Sequence, residues 1–169
     1  IVIESGKPEI AEILQNENLE IISSPDMTEI LWGKLLINLN NALNALSGIP
    51  LLEQISNRQW RMIWANQIDE GLAVLKAEEI RPKSPIPAPV WALPIILRLP
   101  DFLFKRIAKQ MISIDPQART SMWEDLQTGR KTEIDDLQGE IIRLGEKHGI
   151  ATPINRKVHS RVKKAETDG

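Results

Sequence analysis

The sequence predicts an all-α domain, a bundle of about seven helices, led by a short β-α-β segment. Three observations carry this. From Asp26 onward the apolar residues recur at helical spacing, as in Trp60, Ile63, Trp64, Ile68, Leu72 and Leu75. Glycine and proline punctuate that stretch where helices should stop or start, at Gly48, Pro50, Gly129, Gly149 and Pro153. Ahead of Asp26 the texture changes to short runs rich in β-branched residues, Ile1-Val2-Ile3 and Leu19-Glu20-Ile21-Ile22.

Taken in order, Ile1–Ile3 reads as a strand, and Pro8 to Asn16 as a helix that tolerates Pro8 in its first turn. Leu19–Ile22 reads as a second strand, closed by Ser23-Ser24-Pro25-Asp26. So short a β-α-β unit cannot stand alone, and residues 1–26 are expected to be the end of a separate α/β domain, with 27–169 a helical domain. The chain starts at Ile1 without an initiator Met, which fits an excised fragment.

The first long helix is expected from Met27 to Leu46, with Asp26 as its cap and Gly48 and Pro50 as stops. The second runs from about Ser56 to Glu79. Arg81 to Pro89 (RPKSPIPAP) is an extended connection, because proline fixes φ and removes donors. Trp91–Leu99 and Asp101–Met111 are shorter helices. After Ser113-Ile114-Asp115, Pro116 fits the first position of a helix that carries Ser121–Leu126 and stops at Gly129. Thr132 and Asp135 form a capping-box pattern, opening a helix to about His148 with Glu133 in its first turn. Thr152-Pro153 opens the last helix, to about Lys164, and 167–169 should fray.

Composition bounds the chemistry. With 169 residues, 21 Lys+Arg and 23 Asp+Glu, the net charge is −2, without the basic excess of a nucleic-acid binder. There is no cysteine, which removes disulfides, thiolate metal ligands and thiol nucleophiles. The two histidines are far apart in sequence, so no metal site is expected. No apolar run reaches the ~18–20 residues of a membrane span, and IVIESGKPEI is not a secretory signal. The expected compartment is the cytoplasm.

The most informative segment is Leu31-Trp32-Gly33-Lys34-Leu35-Leu36-Ile37-Asn38-Leu39-Asn40-Asn41. At ~100° per residue, Asn38 falls about 40° and Asn41 about −20° from Lys34, so the three share one stripe. A cation and two amides on an apolar helix need partners, from the protein or from a ligand. A lone lysine on a helix usually snorkels to solvent. Asn40 and Asn44 fall elsewhere on the wheel and read as surface or cap residues.

Trp-Gly-Lys-Leu-Leu-x-Asn with Asn41-Ala42-Leu43, then Thr-Ser-Met-x-x-Asp-Leu-x-x-Gly-Arg-x-Thr-Glu-Ile-Asp over 120–135, then Gly149-Ile150-Ala151-Thr152-Pro153-Ile154-Asn155, together resemble the C-terminal domain of the ketopantoate reductases (2-dehydropantoate 2-reductases). The resemblance implies a 6-phosphogluconate dehydrogenase C-terminal-like helical domain. It also implies an N-terminal Rossmann domain that binds NADPH, of which residues 1–26 would be the end. It places the catalytic lysine at Lys34, a carboxylate facing the substrate hydroxyl at Glu133, a serine facing the substrate carboxylate at Ser121, and an amide at Asn38. The position eight after the lysine, an asparagine in some members, is Ala42 here. Asn41, on the same stripe, is expected to stand in for it.

The resemblance implies a place in pantothenate and coenzyme A biosynthesis, and the residue types suit reduction of a 2-oxo acid. A lysine ammonium stabilises charge growing on the C2 oxygen and delivers a proton. The sequence contains no G-x-G, so no cofactor-binding residue is assigned, and the 169 residues alone are expected to be inert. Two rival readings stand beside this one. One is a reductase of a different 2-oxo acid or ketone. The other is a non-enzymatic helical interaction module, with a homodimer contact left open by Trp91 between Pro89 and Pro94.

Overall fold

The computed structural model describes residues 2–4, 22–24, 26–111, 115 and 117–168. It shows an all-α domain with one small two-stranded sheet at its amino end. Strands β1 (Val2–Glu4) and β2 (Ile22–Ser24) pair in parallel, Val2 opposite Ile22. Parallel pairing requires a crossover, in keeping with a β-α-β unit. The expected crossover helix Pro8–Asn16 lies outside the described residues. The second strand begins where the predicted one ends, because the Ser23-Ser24 pair read as a turn continues the ladder.

The helices are α1 (Met27–Asn38), α2 (Asn40–Ser47), α3 (Leu51–Ser56), α4 (Arg58–Ala77), α5 (Leu93–Arg98), α6 (Asp101–Met111), α7 (Ser121–Gln127), α8 (Gln138–His148) and α9 (Pro153–Asp168). The helix expected to start at Pro116 starts instead at Ser121: residues 117–120 are not helical, and Thr120 is extended (φ −84°, ψ 155°) with its N–H on Asn44 Oδ1. Helix α4 is the hub, packing against α1, α2, α3, α5, α8 and α9. The core between them includes Leu36, Leu39, Leu43, Ile68, Leu75, Met122, Ile134 and Ile141, each at most 1% exposed. None of the described helices is long and apolar enough to cross a membrane.

Local chemistry explains the ends. Asn57 caps α4 by accepting from Gln59 N at 2.8 Å. Arg61, fully buried, donates to the carbonyls of Ile55, Ser56, Leu97 and Leu99 and to Asp101, and lies 4.1 Å over the Phe104 ring. One guanidinium thus closes the carboxyl ends of α3 and α5, where carbonyls lack helical partners. The same bond holds the Asp101 carboxyl below its usual range.

Three expectations are corrected. The long helix Met27–Leu46 divides at Leu39. Asn40 and Asn44 are 5% and 0% exposed, not surface residues. The amides of Asn40 and Gln54 bond reciprocally at 3.1 and 3.2 Å, and Asn44 spans Ile49 O and Thr120, so burial leaves neither unsatisfied. Finally, Thr132 does not open a helix. Residues 133–137 form turns and α8 starts at Gln138; Thr132 donates its hydroxyl and N–H to Glu166 of α9 while its oxygen accepts from Ile134 N at 3.3 Å.

Candidate functional site

The site is built on the junction of α1 and α2. At Leu39 the backbone stays right-handed helical (φ −53°, ψ −23°), so the stripe set by Lys34 and Asn38 continues into Asn41. Lys34 is exposed, and Asn38 and Asn41 are half-buried. Seven residues separate Lys34 from Asn41, about 10 Å of helical rise.

The amino half of α1 is held by a strap. Lys83, in the proline-rich connection, donates its N–H to Glu29 O at 2.9 Å, and its ammonium pairs with Asp26 and, at 3.2 Å, with Glu29. Those carboxylates raise the lysine's pKa, the hydrogen bond to Asp26 most. The strap crosses α1 at Gly33, where an added Cβ would lie 1.8 Å from Lys83 O. Glycine beside Lys34 is therefore dictated by the backbone that passes over it.

Glu133 approaches from a different part of the chain. Asn41 Nδ2 donates to Glu133 Oε1 at 3.2 Å across 92 residues of sequence. The adjoining turn is fastened by its neighbours. Thr132 donates its N–H (2.9 Å) and hydroxyl (2.7 Å) to Glu166 Oε1. Asp135 receives His159 Nε2 at 2.8 Å and Lys163 Nζ at 3.1 Å. Five residues after Glu133, buried Gln138 donates to Leu39 O at 2.8 Å, at the α1–α2 junction. Hydrogen bonds from His159 and Lys163 hold the Asp135 carboxyl below its ordinary value. Burial pushes Glu166 up, but bonds from Lys163 and Thr132 outweigh it and hold it low.

Ser121 is the first residue of α7 and is exposed. Its neighbour Thr120 fixes the start of that helix. Thr120 N donates to Asn44 Oδ1 at 3.1 Å, and its hydroxyl reaches Asn41 O and Asn44 Oδ1, both at 3.3 Å. Ser121 is thus one residue from the backbone of Asn41. The structure brings Asn41 into direct contact with Glu133, bonds Thr120, the residue before Ser121, to the backbone of Asn41, and sets Lys34 and Asn38 along the same helical stripe. Ala42 is fully buried in the core, so that position contributes nothing to the open face.

Sequence reasoning missed the supports: Thr120, Asn44, Gln138, Asp135 and Glu166. One signal was present. Asn40 and Asn44 lie four apart in a leucine-rich helix, a spacing that puts both amides on one face of an apolar element. The Thr152-Pro153-Ile154-Asn155 segment is also structural. Buried Asn155 donates to Gln67 O and Glu70, and Glu70 accepts from the N–H groups of Ile154 and Asn155, closing the start of α9 with a carboxylate.

These features have counterparts among known proteins. Residues 26–166 match the family model described as the ketopantoate reductase PanE/ApbA C-terminal domain. The 2-dehydropantoate 2-reductase of Vibrio cholerae is 29% identical over 162 residues, covering 93% of this chain and 47% of that protein. The chain spans about half the length of the curated relatives it matches. The crystal structure of a PanE/ApbA family ketopantoate reductase from Ralstonia eutropha superposes with a TM-score of 0.77 at 27% identity, over 99% of this chain and 51% of the other. D-mandelate dehydrogenase, solved with NADH and anilino(oxo)acetate, shares the fold at a TM-score of 0.76 and 22% identity, over 99% and 53%.

Proposed function

This chain belongs to the family of ketopantoate reductase C-terminal domains, and on that premise we propose that it is the substrate-binding and catalytic half of an NADPH-dependent reductase that converts 2-dehydropantoate to pantoate. The observation that carries the reading is the Asn41–Glu133 hydrogen bond. It joins α2, which continues the stripe of the lysine helix α1, to the Thr-Glu-Ile-Asp turn.

Lys34 is the proton donor to the C2 oxygen of the 2-oxo acid, its ammonium also stabilising charge that grows there in the transition state. Glu133 accepts from the substrate hydroxyl, and Asn41 fixes the orientation of that carboxylate. Asn38 and the Ser121 hydroxyl donate to the substrate carboxylate. A site that pairs with a hydroxyl discriminates against analogues lacking one. The reduced nicotinamide supplies the hydride when bound. The chain carries no G-x-G, and we assign none of its residues to that group.

We assign residues 1–26 to the end of a dinucleotide-binding domain, on the parallel pairing of β1 with β2. Two exposures fit a face closed by such a domain: Leu31 on α1 is 56% exposed, and Lys34 is open to solvent. A water-excluding closure strengthens the ammonium's effect on the substrate.

The test is steady-state kinetics with 2-dehydropantoate and NADPH, on the chain joined to its dinucleotide-binding domain. Lys34→Ala should lower kcat about 10²–10⁴-fold, the usual contribution of a positioned acid. Glu133→Gln should mainly raise KM. Full activity in Lys34→Ala would sink the assignment. A preference for aryl 2-oxo acids over 2-dehydropantoate would favour the other-substrate reading.

A further inference from the structure

On the far side of α2 from Asn41 lies a hollow of about 280 Å³ between α2, α4 and α9. Its walls are Leu46 of α2, Trp60 and Ile63 of α4 and Val158 of α9, with Lys157 and Arg161 of α9 lining its edge. Asn41 and Leu46 differ by about 140° around the helix, so this hollow and the candidate active site occupy different faces.

The two cations at its edge differ from their paired neighbours on α9. On the same helix, Arg156 pairs with Glu146 at 2.7 Å, Lys163 with Glu166 at 2.9 Å and Asp135 at 3.1 Å, and His159 with Asp135 at 2.8 Å. Lys157 and Arg161 have no carboxylate within ion-pair distance among the described residues. They stand four apart on one helical face, where like charges repel. Two uncompensated cations thus converge on the mouth of an apolar hollow floored by an indole.

We propose that this hollow is a binding site for a small organic monoanion, an aliphatic or branched carboxylate whose apolar body enters between Leu46, Trp60, Ile63 and Val158 while its carboxylate sits between Lys157 and Arg161. The volume lies just below the ~300–1,000 Å³ of drug-sized ligand pockets, which limits the occupant to a short chain. Arg161 offers a planar fork matched to a carboxylate, and Lys157 a movable point charge. The assignment is independent of the reductase chemistry.

The probes are hexanoate, hexan-1-ol and hexylammonium, titrated into the chain and followed by amide and indole NMR shifts. Hexanoate should perturb Trp60 Nε1–H, Leu46 and Arg161, leave Asn41 and Glu133 unmoved, and bind at least tenfold tighter than hexan-1-ol. Hexylammonium should bind weakest. The double variant Lys157→Gln/Arg161→Gln, at exposed positions, should keep its thermal midpoint and hexan-1-ol affinity while hexanoate affinity falls to that of the alcohol. Equal affinities for acid and alcohol in the parent chain would overturn the proposal, as would shifts mapping to Glu133 instead. Shifts at Trp60 that follow protein concentration without any probe would also overturn it, by making the hollow a contact between copies of the chain.

Discussion

The two halves of the candidate site are held in place by different means. The Glu133 turn is fastened by side chains: Asn41 on Glu133, Glu166 on Thr132, His159 and Lys163 on Asp135, and Gln138 on the Leu39 carbonyl. The Lys34 segment is held by a single strap, whose backbone crosses at Gly33 and whose Lys83 ammonium pairs with Asp26 and Glu29, and the Lys34 ammonium is left exposed. Under the proposed function, the half assigned to substrate recognition is pre-organised, and the half assigned to proton transfer ends in an exposed four-carbon amine.

That contrast can be broken from the strap side first. Gly33→Ala drives a Cβ into the Lys83 carbonyl, and backbone rather than a side-chain tip must yield. The expected cost is about 3 kcal/mol, the upper end for overpacking, read as a drop in the urea midpoint at unchanged slope. Gly71→Ala meets only the end of the Leu36 side chain and should cost less.

On the clamp side, Gln138→Leu removes the donor to Leu39 O while filling similar volume. It leaves a buried carbonyl unpaired, for about 1–3 kcal/mol. The Asn41 side-chain amide resonances should shift with it. Unmoved resonances would mean that the α1–α2 junction and the Glu133 turn are independent.

Acid sharpens the comparison further. Glu166 is held below its ordinary 4.5, so its stabilising contribution is present above the unfolded value and is lost as pH falls through the lower folded value. The stability gap between the parent chain and Glu166→Gln should therefore be open near neutrality and narrow as pH falls below 4.5. A gap that does not change with pH would assign the effect to packing rather than charge.

The smallest effect is expected at Lys34 itself. It is exposed and makes no ion pair among the described residues, so Lys34→Ala should leave thermal stability within about 0.5 kcal/mol of the parent. Its consequence belongs to turnover alone.

The sequence made the helical class legible because periodicity and punctuation are local signals, and helices α4, α5, α6 and α9 lie close to where those signals put them. The stripe Lys34–Asn38–Asn41 was legible for the same reason. Partners were not. Asp135 reads as a capping-box member from its spacing to Thr132, yet its ligands His159 and Lys163 lie 24 and 28 residues away. Thr132 fits a helix start locally and is claimed by Glu166 across 34 residues. Asn40 and Asn44 look like surface amides until Gln54 and Thr120 are packed against them. In each case a long-range partner adds a bond that no window of sequence displays; Thr132 keeps its local bond from Ile134 N beside the one to Glu166.

Glu166 lies in the final turn of α9, which ends at Asp168. The last turn of α9 therefore governs the posture of an interior turn more than thirty positions earlier. A substitution that unwinds that turn, such as Ala165→Pro, would slacken the loop bearing Glu133 without touching Lys34, Asn38, Asn41 or Ser121.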